Sequence, residues 1–321
     1  MFVLDSHCDT PTMMMRGLDL GAVKGCGHVD IDKLKRGGVD ASFFALYTSA
    51  ELSPDESTRY TLEMLGKIYD ALDVYKDSIA MATSPSEALR NKENGLISIF
   101  IGMENGSPIQ KSLSLLRMYY RFGVRYMTLT HNGDNEIADA AAEGHRWHGL
   151  SPFGREVVEE MNRLGMIVDV AHVSDETFYD VIRCSKAPIV STHSCCRALA
   201  SHPRNMTDEM IRTMADRGGV IQINFYPAFL SDTYQERMPS VKDIAAHIDH
   251  AVKVGGIEHV GIGTDYDGIE ITPEGMEDIS KLPKIFDELT IRGYSEDEIE
   301  RIAGGNFIRV FNEVISCSLG Q

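Results

Sequence analysis

Histidines and carboxylates recur at one kind of place in this chain: where a short apolar run stops. Phe2-Val3-Leu4 leads into Asp5-Ser6-His7-Cys8-Asp9, residues 97–103 into Glu104, 124–130 into His131, 166–171 into His172, 188–192 into His193 and 259–264 into Asp265. His7 and Asp9 are two apart, so on an extended backbone both side chains fall on one side and can reach one metal ion. Glu104 directly follows Ile97-Ser98-Ile99-Phe100-Ile101-Gly102-Met103, where an uncompensated carboxylate would be costly to bury. Three imidazoles (His7, His172, His193) and two carboxylates (Asp9, Glu104) suit an inner shell for two borderline transition-metal ions, with zinc the default. One shared carboxylate can bridge such a pair. Two ions about 3.5–4 Å apart can hold a hydroxide and polarise a carbonyl at neutral pH.

Other residues fit supporting parts. Asp265, in Gly261-Ile262-Gly263-Thr264-Asp265-Tyr266-Asp267-Gly268, can take a proton from the bridging water and pass it to a leaving amine, while Asp267 is assigned to the structure of the turn. His131 can stabilise an oxyanion opposite the metals. Arg204, on the stretch after His193, suits bidentate recognition of a carboxylate. His202 beside it is read as a solvent-facing structural residue. The glycine-rich piece 261–268 matches neither a dinucleotide nor a P-loop pattern.

The elements that must position these residues are short runs rich in Val, Ile and Phe, at 2–5, 41–47, 97–103, 124–130, 166–171, 188–192, 219–225 and 259–264. Several are continuous rather than alternating, as suits strands buried on both faces of a parallel sheet. Segments of helical spacing lie between them, at 57–72, 111–122, 152–164, 174–184, 207–217, 240–254, 279–292 and 295–302. Ser151 precedes Pro152 as an N-cap, and Ser174, Thr207 and Ser240 open the helices that follow. Eight alternations of strand and helix predict an α/β fold, a closed (β/α)8 barrel forming one domain over 1–321. Polar residues at strand ends then collect at the C-terminal face, where such barrels place their active sites. Two connections, 132–149 (with His145, Trp147 and His148) and 226–239, are too long for tight turns and are expected to cover a substrate.

The chain has 321 residues, 43 % of them hydrophobic, and a formal net charge of −17. That balance argues against nucleic acid and anionic membranes, both of which need a basic footprint. No signal peptide, membrane span or hydrophobic anchor tail is legible, so a cytoplasmic protein is expected. The cysteines, Cys8, Cys26, Cys184, Cys195, Cys196 and Cys317, are sparse and read as free thiols.

The pieces Asp5-Ser6-His7-Cys8-Asp9, Gly102-Met103-Glu104-Asn105-Gly106, Leu129-Thr130-His131-Asn132, Gly149-Leu150-Ser151-Pro152-Phe153-Gly154, the stretch 162–174, Ser191-Thr192-His193-Ser194, Arg204-Asn205 and 263–268 follow one another in a specific order and spacing. In these the chain resembles the renal (membrane) dipeptidase family of dinuclear zinc peptidases, nearly end to end, and looks most like its shorter bacterial members. The resemblance implies two Zn2+ ions per chain: His7 and Asp9 on the first, His172 and His193 on the second, and Glu104 with a water or hydroxide bridging them. It implies that Asp265 handles the proton, that His131 holds the tetrahedral intermediate, and that Arg204 takes the substrate's terminal carboxylate. Asn224 and Tyr226, at the end of the seventh strand, would line the pocket. The expected reaction is hydrolysis of a dipeptide with a free C-terminal carboxylate, L-Xaa-D-Xaa dipeptides included. The family tends to form homodimers. The stretch after His131, Gly133-Asp134-Asn135-Glu136-Ile137-Ala138-Asp139, departs from the animal enzymes and bears on substrate preference. The competing readings are a barrel metal hydrolase of another amide (a cyclic amide, a β-lactam or an N-acyl amino acid) and a barrel that binds without catalysis.

Overall fold

A computed structural model describes residues 1–22, 27–142 and 145–319. Among these residues nine strands form one all-parallel sheet: β1 (Leu4–Cys8), β2 (Ala41–Tyr47), β3 (Ile79–Met81), β4 (Ile97–Glu104), β5 (Val124–Thr128), β6 (Ile167–Asp169), β7 (Val190–Ser194), β8 (Val220–Ile223) and β9 (Val260–Ile262). Eight of them follow one another in the order β1-β2-β4-β5-β6-β7-β8-β9, a nearly closed barrel. The ninth, β3, shares an edge of β4 with β5: it pairs Ile97 to Ile99, and β5 pairs Ile101 to Glu104. The seam between β9 and β1 is closed at its C-terminal end. There Asp9 N–H donates to Tyr266 O at 2.8 Å and Asp265 N–H to His7 O at 3.0 Å.

All eight expected strands are present. The first is shifted, from 2–5 to Leu4–Cys8, so His7 lies within the strand rather than beyond it. Polarity does not stop this strand because Asp5 and Ser6 find hydrogen-bond partners. Asp5 accepts from Thr264 N at 2.8 Å, and Ser6 Oγ donates to Thr192 O at 2.7 Å. The short β3 and the helices Thr10–Met15, Ile31–Arg36, Pro85–Glu93 and Asn306–Leu319 were not anticipated. The helix Pro152–Leu164 has the expected bounds, and its Ser151 cap accepts from Gly154 N. Ser174, Thr207 and Ser240 cap their helices in the same way.

The core has two layers. Leu, Ile, Val and Met side chains of the strands' outer faces pack against the helices. The lumen is filled by Phe43, Phe100 and Tyr126, with Phe43 and Phe100 meeting Phe307 and Phe311 of the last helix edge to face, and that helix plugs the N-terminal end of the barrel. Among the described residues no helix is long and apolar enough to cross a membrane. The described cysteines, Cys8, Cys184, Cys195, Cys196 and Cys317, are free; Cys26 lies outside the described residues.

Candidate active site

The lumen ends upward in the polar cluster. Glu104, the last residue of β4, is 3 % exposed, and its two oxygens face different ways. Oε2 lies 3.7 Å from His7 Nε2; Oε1 lies 3.0 Å from His172 Nε2 and 3.3 Å from His193 Nε2. The two latter nitrogens are themselves 2.9 Å apart. On the other side of His7, Nε2 is 3.5 Å from Asp9 Oδ2 and 3.9 Å from Asp265 Oδ1. Three overlapping sets of donors converge here: His7, Glu104 and His193; Glu104, His131 and His172; His7, Asp9 and Asp265.

These donors fit divalent metal. Ligands about 2.1 Å from one ion at 90–109° are spaced by roughly 3.0–3.4 Å, close to the separations around Glu104 Oε1. His7 Nε2 and Asp9 Oδ1 are buried without a hydrogen-bond partner among the described residues, the state expected of atoms held for a cation. The charges are also unsettled among themselves. Burial pulls the His7 imidazole down, but Glu104, Asp9 and Asp265 outweigh it and push it up to about 10. Burial, reinforced by Arg204 and the neighbouring imidazoles, holds His172 and His193 well below the usual histidine range. Burial, with Asp9, raises Glu104 well above the usual carboxylate range.

The outer nitrogens differ from ring to ring. His7 Nδ1 is 2.7 Å from the hydroxyl of Tyr126, and His193 Nδ1 is 2.8 Å from Thr192 Oγ1. His172 Nδ1 is buried with no partner among the described residues. Sequence reasoning missed Tyr126 because it sits mid-strand in β5 and reads as an ordinary core aromatic. Gly102 was the available signal: a Cβ there would come within 2.1 Å of the Tyr126 ring.

Above the cluster opens a cleft of about 440 Å3, lined by Asp9, Glu104, His131, His172, Arg204 and Asp265, with Tyr226 and Phe229 on one wall. Arg204 is 5 % exposed; its Nη2 donates to His193 O at 3.3 Å, while Nε and Nη1 have no partner among the described residues. Burial brings its pKa down to about 10, against the pull of Asp265 and Glu104. His131 is pushed down to about 4 by burial and by Arg204, so its ring is neutral. Asp265 is raised to about 6, by burial first and Asp9 after, against the pull of His7. Its backbone is left-handed, with φ 61°. Asn224 is fully buried and does not line the cleft; its Nδ2 donates to Asp265 Oδ2 at 2.9 Å, so it orients that carboxylate.

The long connections divide the work unevenly. Among the described residues of the stretch 132–149 only Asn132 lines the cleft, and Trp147 Nε1 is spent on Asn135 O at 2.8 Å. The turn after β9 contributes more, with Asp267, Gly268, Ile269, Glu270 and Ile271. Asp267 ties that turn down: it accepts from Thr10 Oγ1 at 2.8 Å and from the backbone of His28. His202 is half-buried against Phe229, with ring centroids 4.6 Å apart, and is not the solvent-facing residue expected.

The membrane dipeptidase model, peptidase family M19, matches residues 1–319. The chain belongs to this family. An uncharacterized dipeptidase of Schizosaccharomyces pombe is 37 % identical over 310 residues, covering 92 % of this chain and 74 % of that one. Among solved structures, the probable dipeptidase PvdM of Pseudomonas aeruginosa is 26 % identical, with a TM-score of 0.92 over 98 % of this chain and 96 % of the other. A metallo peptidase of Rhodobacter sphaeroides, crystallised with a phosphinate mimic of the dipeptide L-Ala-D-Ala, shares the fold at 23 % identity and a TM-score of 0.91, over 98 % and 99 % of the two chains. Membership in the M19 family makes this chain a metallopeptidase of the dipeptidase type, and the converging imidazoles and carboxylates are groups that could hold a metal ion.

Proposed function

We propose that the protein is a dinuclear zinc dipeptidase that cleaves dipeptides bearing a free C-terminal carboxylate, L-Xaa-D-Xaa dipeptides among them. The observation that carries this reading is the split carboxylate of Glu104, with one oxygen toward His7 and the other toward His172 and His193, at the floor of a cleft that also holds a buried arginine with open donors. His7 and Asp9 would hold one ion, His172 and His193 the other, and Glu104 both. When bound, the ions supply Lewis-acid polarisation of the scissile carbonyl and an activated water.

The chain's own residues do the rest. Arg204 lines the cleft with Nε and Nη1 unpartnered among the described residues, and its guanidinium receives the carboxylate at the substrate's C-terminal end. Asp265, poised near neutrality and steadied by Asn224, accepts the proton of the attacking water and delivers it to the leaving amine. His131, neutral on the opposite wall beside His172, donates a hydrogen bond to the developing oxyanion. Tyr226 and Phe229 shape the apolar wall next to Arg204. The Rhodobacter enzyme's ligand, a mimic of L-Ala-D-Ala, supports the choice of substrate.

The test is a paired screen of L-Ala-L-Ala, L-Ala-D-Ala and a wider L-Xaa-D-Xaa set on zinc-loaded protein, with a chelated control. Chelator-sensitive release of free amino acids is expected. Arg204→Ala should raise KM for dipeptides by about 10²-fold, the loss of a buried charge-assisted pair. His131→Gln should keep its metal and lose turnover. No hydrolysis of any dipeptide by metal-replete protein would transfer the activity to another amide.

A further inference from the structure

Asp169, the last residue of β6, is not among the residues that line the cleft. It is fully buried, and its carboxylate receives four hydrogen bonds. Thr192 N at 2.9 Å and Ala171 N at 3.1 Å donate to Oδ1; Thr192 Oγ1 at 2.7 Å and Thr128 Oγ1 donate to Oδ2. Two donors on each oxygen fill the acceptor capacity of an ionised carboxylate and leave no place for a proton. Burial pushes Asp169 up, and the hydrogen bonds from Thr128 and Thr192 pull it back.

The direction of every bond in this chain is therefore fixed. Thr192 has a single hydroxyl proton, and it points to Asp169. Thr192 Oγ1 is also 2.8 Å from His193 Nδ1, and with its proton committed it can only accept there. His193 must then carry its proton on Nδ1. Its Nε2 is left as a bare lone pair, aimed into the cluster 3.3 Å from Glu104 Oε1. Metal-bound histidines elsewhere are held in this tautomer by a carboxylate or carbonyl on the far nitrogen. Here a threonine hydroxyl is inserted between carboxylate and ring.

We infer that Asp169, acting through Thr192, is a positioning residue that locks His193 in its metal-binding tautomer. The inference rests on His193 being a metal ligand, as read above. It makes an unusual demand of one isosteric change. In Asp169→Asn the two backbone N–H groups still need an acceptor, so the amide oxygen stays at Oδ1 and the NH2 group takes the place of Oδ2. That NH2 donates to Thr192, whose own proton is released to His193 Nδ1. The ring is then driven to the Nε2–H tautomer, which cannot bind metal.

The experiment is a zinc titration by calorimetry on chelator-stripped full-length wild type and the variants Asp169→Asn, Thr192→Val and Thr192→Ser, each checked for folding by its melting curve. Wild type should bind two equivalents. In D169N and in T192V one equivalent should weaken by about 10- to 100-fold while the other is retained; T192S, which keeps the hydroxyl, should restore it. Selective histidine 15N spectra of the metal-free proteins should show His193 protonated on Nδ1 in wild type and on Nε2 in D169N. Folded D169N and T192V proteins that bind both equivalents as wild type does would overturn the inference. If D169N does not fold, T192V against T192S decides between the same two results. A wild type that binds no zinc would instead sink the dinuclear reading itself.

Discussion

At the scale of single residues, the cluster's protons are placed against its function until metal arrives. In the metal-free protein His7 keeps its proton to about pH 10, because Glu104, Asp9 and Asp265 outweigh the cost of burying the charge. At pH 7 it is therefore an imidazolium, and a cation can use Nε2 only by expelling that proton. His172 and His193, held well below the usual range, are already neutral and have none to release. The sign follows: protons favour the metal-free form, so affinity falls as pH drops and rises as pH climbs toward 10. Zinc titrations at pH 7 in buffers of different ionisation heat should show net release of about one proton or more per chain, with tighter binding at pH 8 than at pH 6. Net uptake, or affinity independent of pH, would mean that the carboxylates do not hold His7 as described.

At the scale of elements, the turn after β9 is as much a part of the centre as the strands are. A Cβ on Gly268 would stand 2.1 Å from Asp9 Oδ2 and 2.8 Å from Asp265 Oδ1, so the turn can close over both carboxylates only as glycine. Gly268→Ala should fold, since the clash is with two side-chain ends, yet lose about 10²-fold in kcat/KM, the usual result of displacing reacting groups by an ångström. Unchanged kinetics would show that Asp9 and Asp265 have slack. That turn was legible only as Gly-x-Gly-x-Asp-x-Asp-Gly, without its direction. What was legible follows from periodicity and from where polarity interrupts it: the eight strands and the capped helices were marked by their patterns, and the candidate ligands by apolar runs that lead into a His or an acid. The outer partners were not legible. Tyr126, Asp169 and Thr192 lie inside strands, where their types are unremarkable, and their meaning comes from contacts over 119, 41 and 23 residues of sequence. The helix Asn306–Leu319 was missed because the alternation of strand and helix was complete without it, and β3 because three residues carry too little pattern to separate from a loop.

At the scale of the whole molecule, the plugged lumen is the foundation on which the metal centre stands. Phe43 lies at its middle, with ring centroids 5.3 Å from Phe307 of the last helix, 4.7 Å from Phe100 and 5.0 Å from Tyr126. Tyr126 in turn reaches His7 Nδ1. Stability and metal binding are thus joined through one stack, but not every ring in it joins them. Phe307→Ala removes a fully buried ring from the bottom and should cost about 3–5 kcal/mol, a fall in Tm of roughly 10 °C, while leaving the folded protein's zinc affinity unchanged. Phe43→Ala should cost a similar amount and, in addition, let Tyr126 settle toward the cavity, so that His7 loses its fixed direction and one zinc equivalent weakens by about tenfold. Tyr126→Phe should weaken the same equivalent with a smaller effect on Tm, because it removes the hydroxyl and keeps the ring. Tm and zinc titrations on the three variants separate the two contributions. Loss of Tm without loss of zinc in Phe43→Ala would confine the stack to holding the barrel shut. Loss of both there, and of zinc mainly in Tyr126→Phe, would establish that packing at the barrel's floor is transmitted to the ligands at its mouth.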